Sequence, residues 1–348
     1  MTNKEKKTTF IEKLKEEYRR VKGEWKNPTL IKVRKRKALI YSGAIIRTII
    51  LIGLVFIILL PIFEKFSFAL RDPMNITDPQ VVFIPKKLST LNFQIAIELL
   101  DFRSSLVNTI VLSTFTTLIQ VMASAIAGYA FARLRFRGSD IIFYIVLFTL
   151  VVPNETLHIA RFLMFTHSRF LGLKLMGNIF SMYIMAAFGM GIRSAIFIYL
   201  FRQFFRGLPV ELEESAEIDG AGVFRTFWSV MLPNARGAIV VVGLFAFVWQ
   251  WNDYYYASLF QYADNNFPVL STKLASGTER LFTILSGWVS EGKEYFKHIT
   301  DEQVKEDPLF RGLIANTAAL LMMIPLLVGY LFVQRRFVES IERTGIVG

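Results

Sequence analysis

The stretch EESAEIDGAGVFRTFWSVMLP, residues 213–233, is polar, although it lies between two strongly apolar regions of the chain. Five carboxylates occur between positions 211 and 219, and a Gly-x-Gly pair and a group of aromatic residues follow them. Three interpretations are open: an active site, an exposed loop without a specific role, or a docking element. The choice depends on where the membrane-spanning segments lie.

The composition favours a membrane protein. Of the 348 residues, 53% are hydrophobic and only 20% are charged, and the mean hydropathy is positive. The absence of cysteine excludes disulfides and thiolate catalysis. The three histidines, His158, His167 and His298, are too scattered to predict a metal site. No cofactor is therefore expected in this chain.

Six segments are long and apolar enough to cross a bilayer core of about 30 Å as helices. They are residues 42–63, 105–131, 141–163, 179–200, 238–260 and 313–333. In the third segment, Pro153 precedes Asn154 and Glu155, which predicts a break in its outer part. The sequence thus predicts an all-α integral membrane protein with a basic segment at 1–41, a transmembrane domain at 42–333 and a tail at 334–348.

The distribution of charge predicts the orientation. With the N-terminus inside, the inner segments hold 25 Lys+Arg and 13 Asp+Glu, and the outer loops hold 14 of each. The whole excess of +12 then lies on the cytoplasmic side, together with both termini. Because the excess follows the topology, nucleic-acid binding is the weaker explanation. The basic run KVRKRK, residues 32–37, predicts contact with anionic membrane lipids.

In this topology residues 201–237 form a cytoplasmic loop. Pro209 and the carboxylates after it suit the first turn of a helix, and Gly220 and Gly222 suit its end. Apolar residues at 223, 224, 227, 228 and 231 predict a second helix whose apolar face packs on the membrane helices. An active site would need a nucleophile or metal ligands, and neither His nor Cys is near. The small side chains around the bend favour docking.

The segment LPVELEESAEIDGAGVFRTFWSVMLP resembles the "EAA" loop of permease subunits in binding-protein-dependent ABC importers. The family pattern, E-A-A-x-x-D-G-A followed by I-x-L-P, falls on Glu214, Ser215, Ala216, Asp219, Gly220, Ala221, Val230, Leu232 and Pro233. Ser215 replaces the middle alanine, and Gly237 stands where many members have a second proline. The resemblance implies that residues 214–222, including Gly222, dock on a separate ATPase subunit and carry its motion to the spans.

Other blocks extend this resemblance over about residues 105–348. Residues 108–138, 247–259 and 266–276 look like blocks of the carbohydrate-type branch, although the long outer loop 277–311 and the basic N-terminus are departures. Residues 334–348 resemble the tail of the smaller maltose-type permease subunit, which inserts between the ATPase subunits. This likeness implies ATPase contacts for Gln334, Arg335 and Arg336.

The resemblance implies a type I ABC importer permease fold in a bacterial inner membrane. It also implies a second permease, two ATPase subunits that hold ATP and Mg²⁺, an extracellular binding protein, and a sugar or oligosaccharide substrate. The chain lacks a G-x-x-x-x-G-K-[ST] loop, so it is not expected to be an enzyme that hydrolyses ATP itself. A same-fold permease for a non-sugar substrate remains an alternative, and a stand-alone secondary transporter is a weaker one.

Polar residues inside the predicted spans are candidates for the translocation path. Arg193 lies nine residues before Arg202, which places it roughly 13 Å from the inner interface at 1.5 Å per residue. Arg193 then either lines the translocation path or pairs with backbone carbonyls of a neighbouring subunit. The surrounding GMGIRSA, residues 189–195, predicts a local helix break. Asn252 and Asp253 lie among aromatic residues, which suits a sugar site, a subunit interface or an interfacial aromatic belt.

Overall fold

The structure is a computed structural model that describes residues 15, 28–73, 84–85, 87–134, 136–170, 172–260, 267–292 and 308–345. The chain divides into two compact units, Met1–Glu64 and Lys65–Gly348. In the first unit, the described residues from Pro28 onward belong to one long helix with an exposed apolar surface. The second unit contains the packed helices, the predicted coupling loop and a short hairpin.

The helices follow one another along the chain with few strands between them. They are α1 (Pro28–Leu70), α2 (Leu91–Leu100), α3 (Phe102–Arg133), α4 (Ser139–Phe148), α5 (His158–His167), α6 (Phe180–Ala187), α7 (Ser194–Gly207), α8 (Glu211–Ile218), α9 (Val223–Thr226), α10 (Leu232–Asn234), α11 (Arg236–Trp251), α12 (Tyr255–Phe260), α13 (Leu270–Ala275), α14 (Gly277–Ser290) and α15 (Pro308–Gly345). A 3₁₀-helix covers Asn154–Leu157 and a π-helix covers Phe227–Met231. Strands β1 (Arg169–Phe170) and β2 (Leu173–Lys174) pair antiparallel.

Three of the six predicted spans are continuous helices. Among the described residues, the stretches Lys35–Leu70, Phe102–Arg133 and Pro308–Glu339 are long and apolar enough to cross a membrane. They contain the predicted spans 42–63, 105–131 and 313–333. A fourth candidate is the pair Val223–Asn234 and Arg236–Trp251, whose two parts are bent by 79°.

The other three predicted spans are interrupted helices. The third breaks between α4 and α5 near Pro153, and the fourth breaks between α6 and α7 at residues 188–193. Both breaks were expected from the sequence, at the proline and at residues 189–195. The fifth breaks between Trp251 and Tyr255, where the sequence alone predicted a continuous helix. Interrupted backbone at membrane depth needs partners from neighbouring helices.

Helix α3 lies at the centre of the second unit because its surface allows close approach. At Gly128, an added Cβ would lie 2.5 Å from the Phe201 Cβ and 2.9 Å from the Arg202 backbone nitrogen. Glycine is therefore required where α3 crosses α7, as in many membrane helix pairs. The same helix buries a series of small or polar side chains: Ser113, Thr116, Gln120 and Ser124.

An apolar cluster joins the predicted cytoplasmic loop to the membrane helices. We call it the loop-side cluster, and its central members are Tyr129, Phe201, Phe205, Phe227 and Met231. The rings of Tyr129 and Phe205 meet edge to face at 5.7 Å, and Tyr129 also lies 5.3 Å from the ring of Phe227. Two further clusters fill the rest of the packed unit around α2 and α15 and around α6 and α12.

Helices occupy several segments that the sequence suggested as loops or tails. Residues 28–37 of the basic segment belong to the same helix as the first span, and α15 continues without a break into the predicted tail. The first part of the long outer loop forms α14, which packs through Leu281 and Leu285. Residues 293–307 of that loop lie outside the described residues.

Candidate functional site

The predicted coupling loop has the expected order of helix, glycine bend and second helix. Helix α8 ends at Ile218, and Gly220 adopts a left-handed φ of 75° that favours glycine. The N–H of Ala221 donates to the carbonyl of Ala216 at 2.9 Å, which closes the end of α8. The extended Gly222 then starts α9. This local prediction is confirmed.

Most of the residues predicted to contact an ATPase subunit are accessible. Glu214, Ser215, Asp219, Gly220 and Gly222 are exposed. Ala221 is half-buried, and the Ser215 hydroxyl donates to the Glu211 carbonyl at 2.7 Å. Ala216 is buried, so its small side chain packs within this chain rather than facing outward.

The predicted apolar face of the second helix is divided in the structure. Phe227 and Met231 are buried as expected, at 4% and 0% exposure. Phe224, however, is 82% exposed, and Val223 and Trp228 are about half exposed. The prediction assumed one regular helix, whereas the segment is a single α turn followed by a wider π-helical turn. The expectation that Phe224 packs on the membrane helices is therefore wrong.

The exposed apolar residues form a patch at the tip of the loop. We define the tip patch as Ile218, Val223 and Phe224, of which Ile218 is 86% exposed. It lies on both sides of the glycine bend and is bordered by the exposed charges of Asp219 and Arg225. An exposed apolar patch with a polar border is typical of a protein–protein contact.

Arg133 holds the base of the loop against two membrane helices. Its Nη2 donates to the carbonyls of Phe205, at 2.7 Å, and Leu208, and its Nε donates to Phe205 at 3.1 Å. The same guanidinium lies 3.6 Å from the Glu213 carboxylate, and the two side chains are only 10% and 14% exposed. The end of α3, the end of α7 and the start of α8 are thus tied together by one cation.

Arg202 makes a second tie nearby. It donates to the Phe131 carbonyl at 3.2 Å, lies 3.4 Å from the Asp140 carboxylate, and stacks 4.0 Å from the Phe143 ring centroid. Sequence reasoning did not identify Arg133 or Arg202 as functional residues. The available signal for Arg133 was its place in residues 108–138, one of the blocks that resemble the carbohydrate-type branch.

Arg193 lies in the break of the fourth predicted span, directly before α7. Its φ of 54° is left-handed, which is uncommon for a non-glycine residue. The buried Gln120 amide holds the backbone on both sides, because it donates to the Ile192 carbonyl at 2.7 Å and to the Ser194 hydroxyl at 3.0 Å. The exposed guanidinium lies 5.1 Å from the Trp249 ring centroid.

Asp253 and Asn252 have different environments despite their adjacent positions. The Asp253 carboxylate accepts the backbone N–H groups of Tyr256, at 3.1 Å, and Ala257, at 3.2 Å. It therefore caps the start of α12. Asn252 is exposed, and its amide donates to the Val248 carbonyl at 2.8 Å. Of these two, Asn252 is the residue with its side chain directed outward from the packed unit.

The remaining predicted residues lie at the far end of the chain or are scattered. Gln334, Arg335 and Arg336 are exposed on α15, and Arg335 pairs with Glu339 at 3.1 Å. No cluster of three or more His, Asp or Glu residues that could hold a metal occurs in the described ranges. His158 and His167 lie at opposite ends of α5, and His298 lies outside the described residues.

Continuous and broken apolar helices, with a polar loop that exposes an apolar tip, are features expected of an integral membrane transport subunit. The chain belongs to the family described as binding-protein-dependent transport system inner membrane component, whose model matches residues 120–343. It is accordingly a multi-pass inner-membrane protein, and the predicted type I permease fold is confirmed.

Three similar proteins illustrate the family. The sn-glycerol-3-phosphate transport system permease UgpE of Yersinia pestis is 30% identical over 59% of this chain and 72% of its own length. The maltodextrin permease MalD of Streptococcus pneumoniae is 26% identical, over 69% and 74%. The probable starch degradation products permease AmyC of Thermoanaerobacterium thermosulfurigenes is 29% identical over 51% of this chain, and the match spans only 61% of AmyC.

A solved structure supports the fold alone. A bacterial ABC transporter involved in the import of the acidic polysaccharide alginate contains a chain that superposes with a TM-score of 0.62. The match covers 85% of this chain and 97% of that chain, at 22% sequence identity.

Proposed function

We propose that this chain is the permease subunit of a bacterial ABC importer that translocates a sugar or oligosaccharide. The observation that carries the proposal is the exposed tip patch on a loop that Arg133 ties to α3 and α7. Such a loop can accept force from another subunit and deliver it to membrane helices. The maltodextrin and starch-product relatives support a sugar as the substrate.

The proposed complex contains a second permease, two ATPase subunits and an extracellular binding protein. ATP and Mg²⁺ bind in the ATPase subunits, and this chain does not hydrolyse ATP. Closure of the ATPase dimer pushes residues 214–222, and Gln334, Arg335 and Arg336 contact the ATPase from the C-terminal helix. The cations at 32–37 lie at anionic lipid headgroups. Reorientation of the broken spans then opens the path that Arg193 and Asn252 face.

A permease for a non-sugar substrate is the second candidate. It is favoured by the 30% identity to the sn-glycerol-3-phosphate permease, which is as high as the identity to the sugar permeases described above. The two candidates share the coupling mechanism and differ in the transported molecule, so uptake of radiolabelled maltotriose and sn-glycerol-3-phosphate by cells that express the whole transporter distinguishes them.

Phe224→Ala tests the docking role of the tip patch. Because Phe224 is 82% exposed, the substitution should leave folding and membrane insertion unchanged. We expect the ATPase subunits to co-purify at least about tenfold less, since exposed aromatic anchors carry much of the binding energy of an interface. Uptake should fall in parallel.

Phe148→Ala is the matched control, because Phe148 is 64% exposed but lies on α4. It should retain both ATPase binding and uptake. Normal co-purification of the ATPase with the Phe224 variant would contradict the docking role, whatever the substrate is.

A further inference from the structure

The backbone around Arg193 is built to hold this residue in one position. Gln120 is almost completely buried, and its amide bonds to groups of Ile192 and Ser194 on either side of Arg193. Gly191 allows this approach, because a Cβ there would lie 3.1 Å from the Gln120 amide nitrogen. A left-handed φ at a non-glycine residue is strained and persists where surrounding contacts impose it.

The guanidinium itself is also oriented. Its central carbon lies over the Trp249 ring, 5.1 Å from the centroid, and the Trp249 ring in turn makes a stacked contact with the buried Phe197 at 5.2 Å. Stacking on an aromatic face leaves the N–H edges of an arginine free to bind an anion in a bidentate manner. Among the described residues, no carboxylate pairs with Arg193.

A charge at membrane depth that lacks an internal counter-ion faces a water-filled cavity or a partner. The exposed groups near Arg193 indicate the side on which a translocation path would run. Asn252 follows Trp249 by three residues, so the two lie on one side of the end of α11. The Asn252 amide can bond to sugar hydroxyl groups, the Trp249 indole can contact a sugar ring, and the Arg193 guanidinium can bind an anion. Together these three groups suit a sugar that carries a negative charge.

We propose that Arg193 and Trp249 form a subsite that binds the carboxylate of an acidic sugar, such as a uronate unit, as it crosses the membrane. One guanidinium supplies a planar fork that matches the two oxygens of a carboxylate, and its single positive charge balances the single negative charge of a uronate. This inference rests on the proposed function as a sugar importer and narrows its substrate to acidic sugars.

The test uses the assembled transporter purified with its partner permease and ATPase subunits. Binding of trigalacturonate and of neutral maltotriose is measured by calorimetry for the wild type, Arg193→Gln and Arg193→Lys. We expect trigalacturonate to bind the wild type at least about tenfold more tightly than maltotriose. Arg193→Gln should abolish that preference, and Arg193→Lys should restore it only in part because the planar fork is lost.

Arg47→Gln is the control, because Arg47 is also an exposed arginine in a predicted span, and among the described residues no aromatic ring lies next to its guanidinium. It should bind both sugars as the wild type does. The composition of each purified complex is checked by mass, so that loss of a subunit is seen directly.

Four outcomes would overturn the inference. Binding of maltotriose alone would leave the sugar importer standing and reject the acidic substrate. Equal trigalacturonate binding by the wild type and Arg193→Gln would reject the role of Arg193. Loss of the second permease from the Arg193→Gln complex would assign the charge to a subunit contact instead. If neither sugar binds and intact cells take up neither, the proposed sugar import fails as well.

Discussion

Arginine side chains lie at both ends of α7, but they differ in burial and in the groups that neutralise their charge. At its C-terminal end, Arg133 and Arg202 are nearly buried, and their donors bond to carbonyls and carboxylates of this chain. At its N-terminal end, Arg193 is exposed and its charge has no carboxylate partner among the described residues. The difference shows that the C-terminal end is held to its neighbours by buried charges, whereas the cation at the N-terminal end is exposed and lies next to an aromatic ring.

The largest effect should come from breaking the crossing on which both ends depend. Gly128→Val places side-chain atoms where the Phe201 Cβ and the α7 backbone already lie. Because the obstacle includes backbone, α7 must move away from α3, and we expect the chain not to accumulate as a folded protein. Fluorescence-detected gel filtration of the detergent extract measures this.

Gly243→Ala is the matched control, since its nearest neighbour is 3.9 Å away from an added Cβ. It should give a wild-type elution profile. A folded Gly128→Val protein would mean that the close crossing does not determine how α3 and α7 pack.

The next effect should show how much the buried ion pair at the C-terminal end of α7 contributes to stability. Arg133→Met leaves the Glu213 carboxylate buried without its cation, which costs about 3–5 kcal/mol for a buried pair. We expect a lower thermal unfolding temperature in detergent, and partial recovery in Arg133→Met/Glu213→Met, where no buried charge is left.

The exposed pair of Arg335 and Glu339 provides the comparison. Arg335→Met should change the stability by about 1 kcal/mol or less, because exposed ion pairs contribute little. If the Arg133 and Arg335 variants unfold at the same temperature, the buried tie at the base of the loop is not a source of stability.

The smallest effect concerns Asp253, which lies between α11 and α12, four residues after Trp249. As a helix cap it should tolerate Asp253→Asn, because asparagine also accepts N–H bonds, while Asp253→Ala should cost about 1 kcal/mol. Uptake and thermal stability of the two variants measure this. Equal loss of uptake in both, without loss of stability, would instead assign the charge to the path.

Local features of this fold were predictable from the sequence. Apolar length located the three continuous membrane-length helices of the described residues, Pro153 and the glycines near Arg193 located two breaks, and Gly220 located the bend of the loop. These features depend on residues that are close in sequence. The break after Trp251 was not predicted, because no proline or glycine marks it and an aspartate cap produces it.

Long-range features were not predictable in the same way. Arg133 and Glu213 are 80 positions apart, and no periodic pattern pairs them. Periodicity assigned Phe224 to a buried face because it records spacing within a helix and not whether another helix is there to cover it. The same limit applies to Arg193, whose strained conformation depends on Gln120 from another helix.

The bend of 79° between Val223–Asn234 and Arg236–Trp251 has a mechanical consequence. Two helical segments joined at nearly a right angle can convert a displacement along one segment into a rotation of the other, as a bent lever does. In the docked complex proposed above, a push on Phe224 at the far end of the first segment would therefore reach Trp249, the ring next to the Arg193 guanidinium.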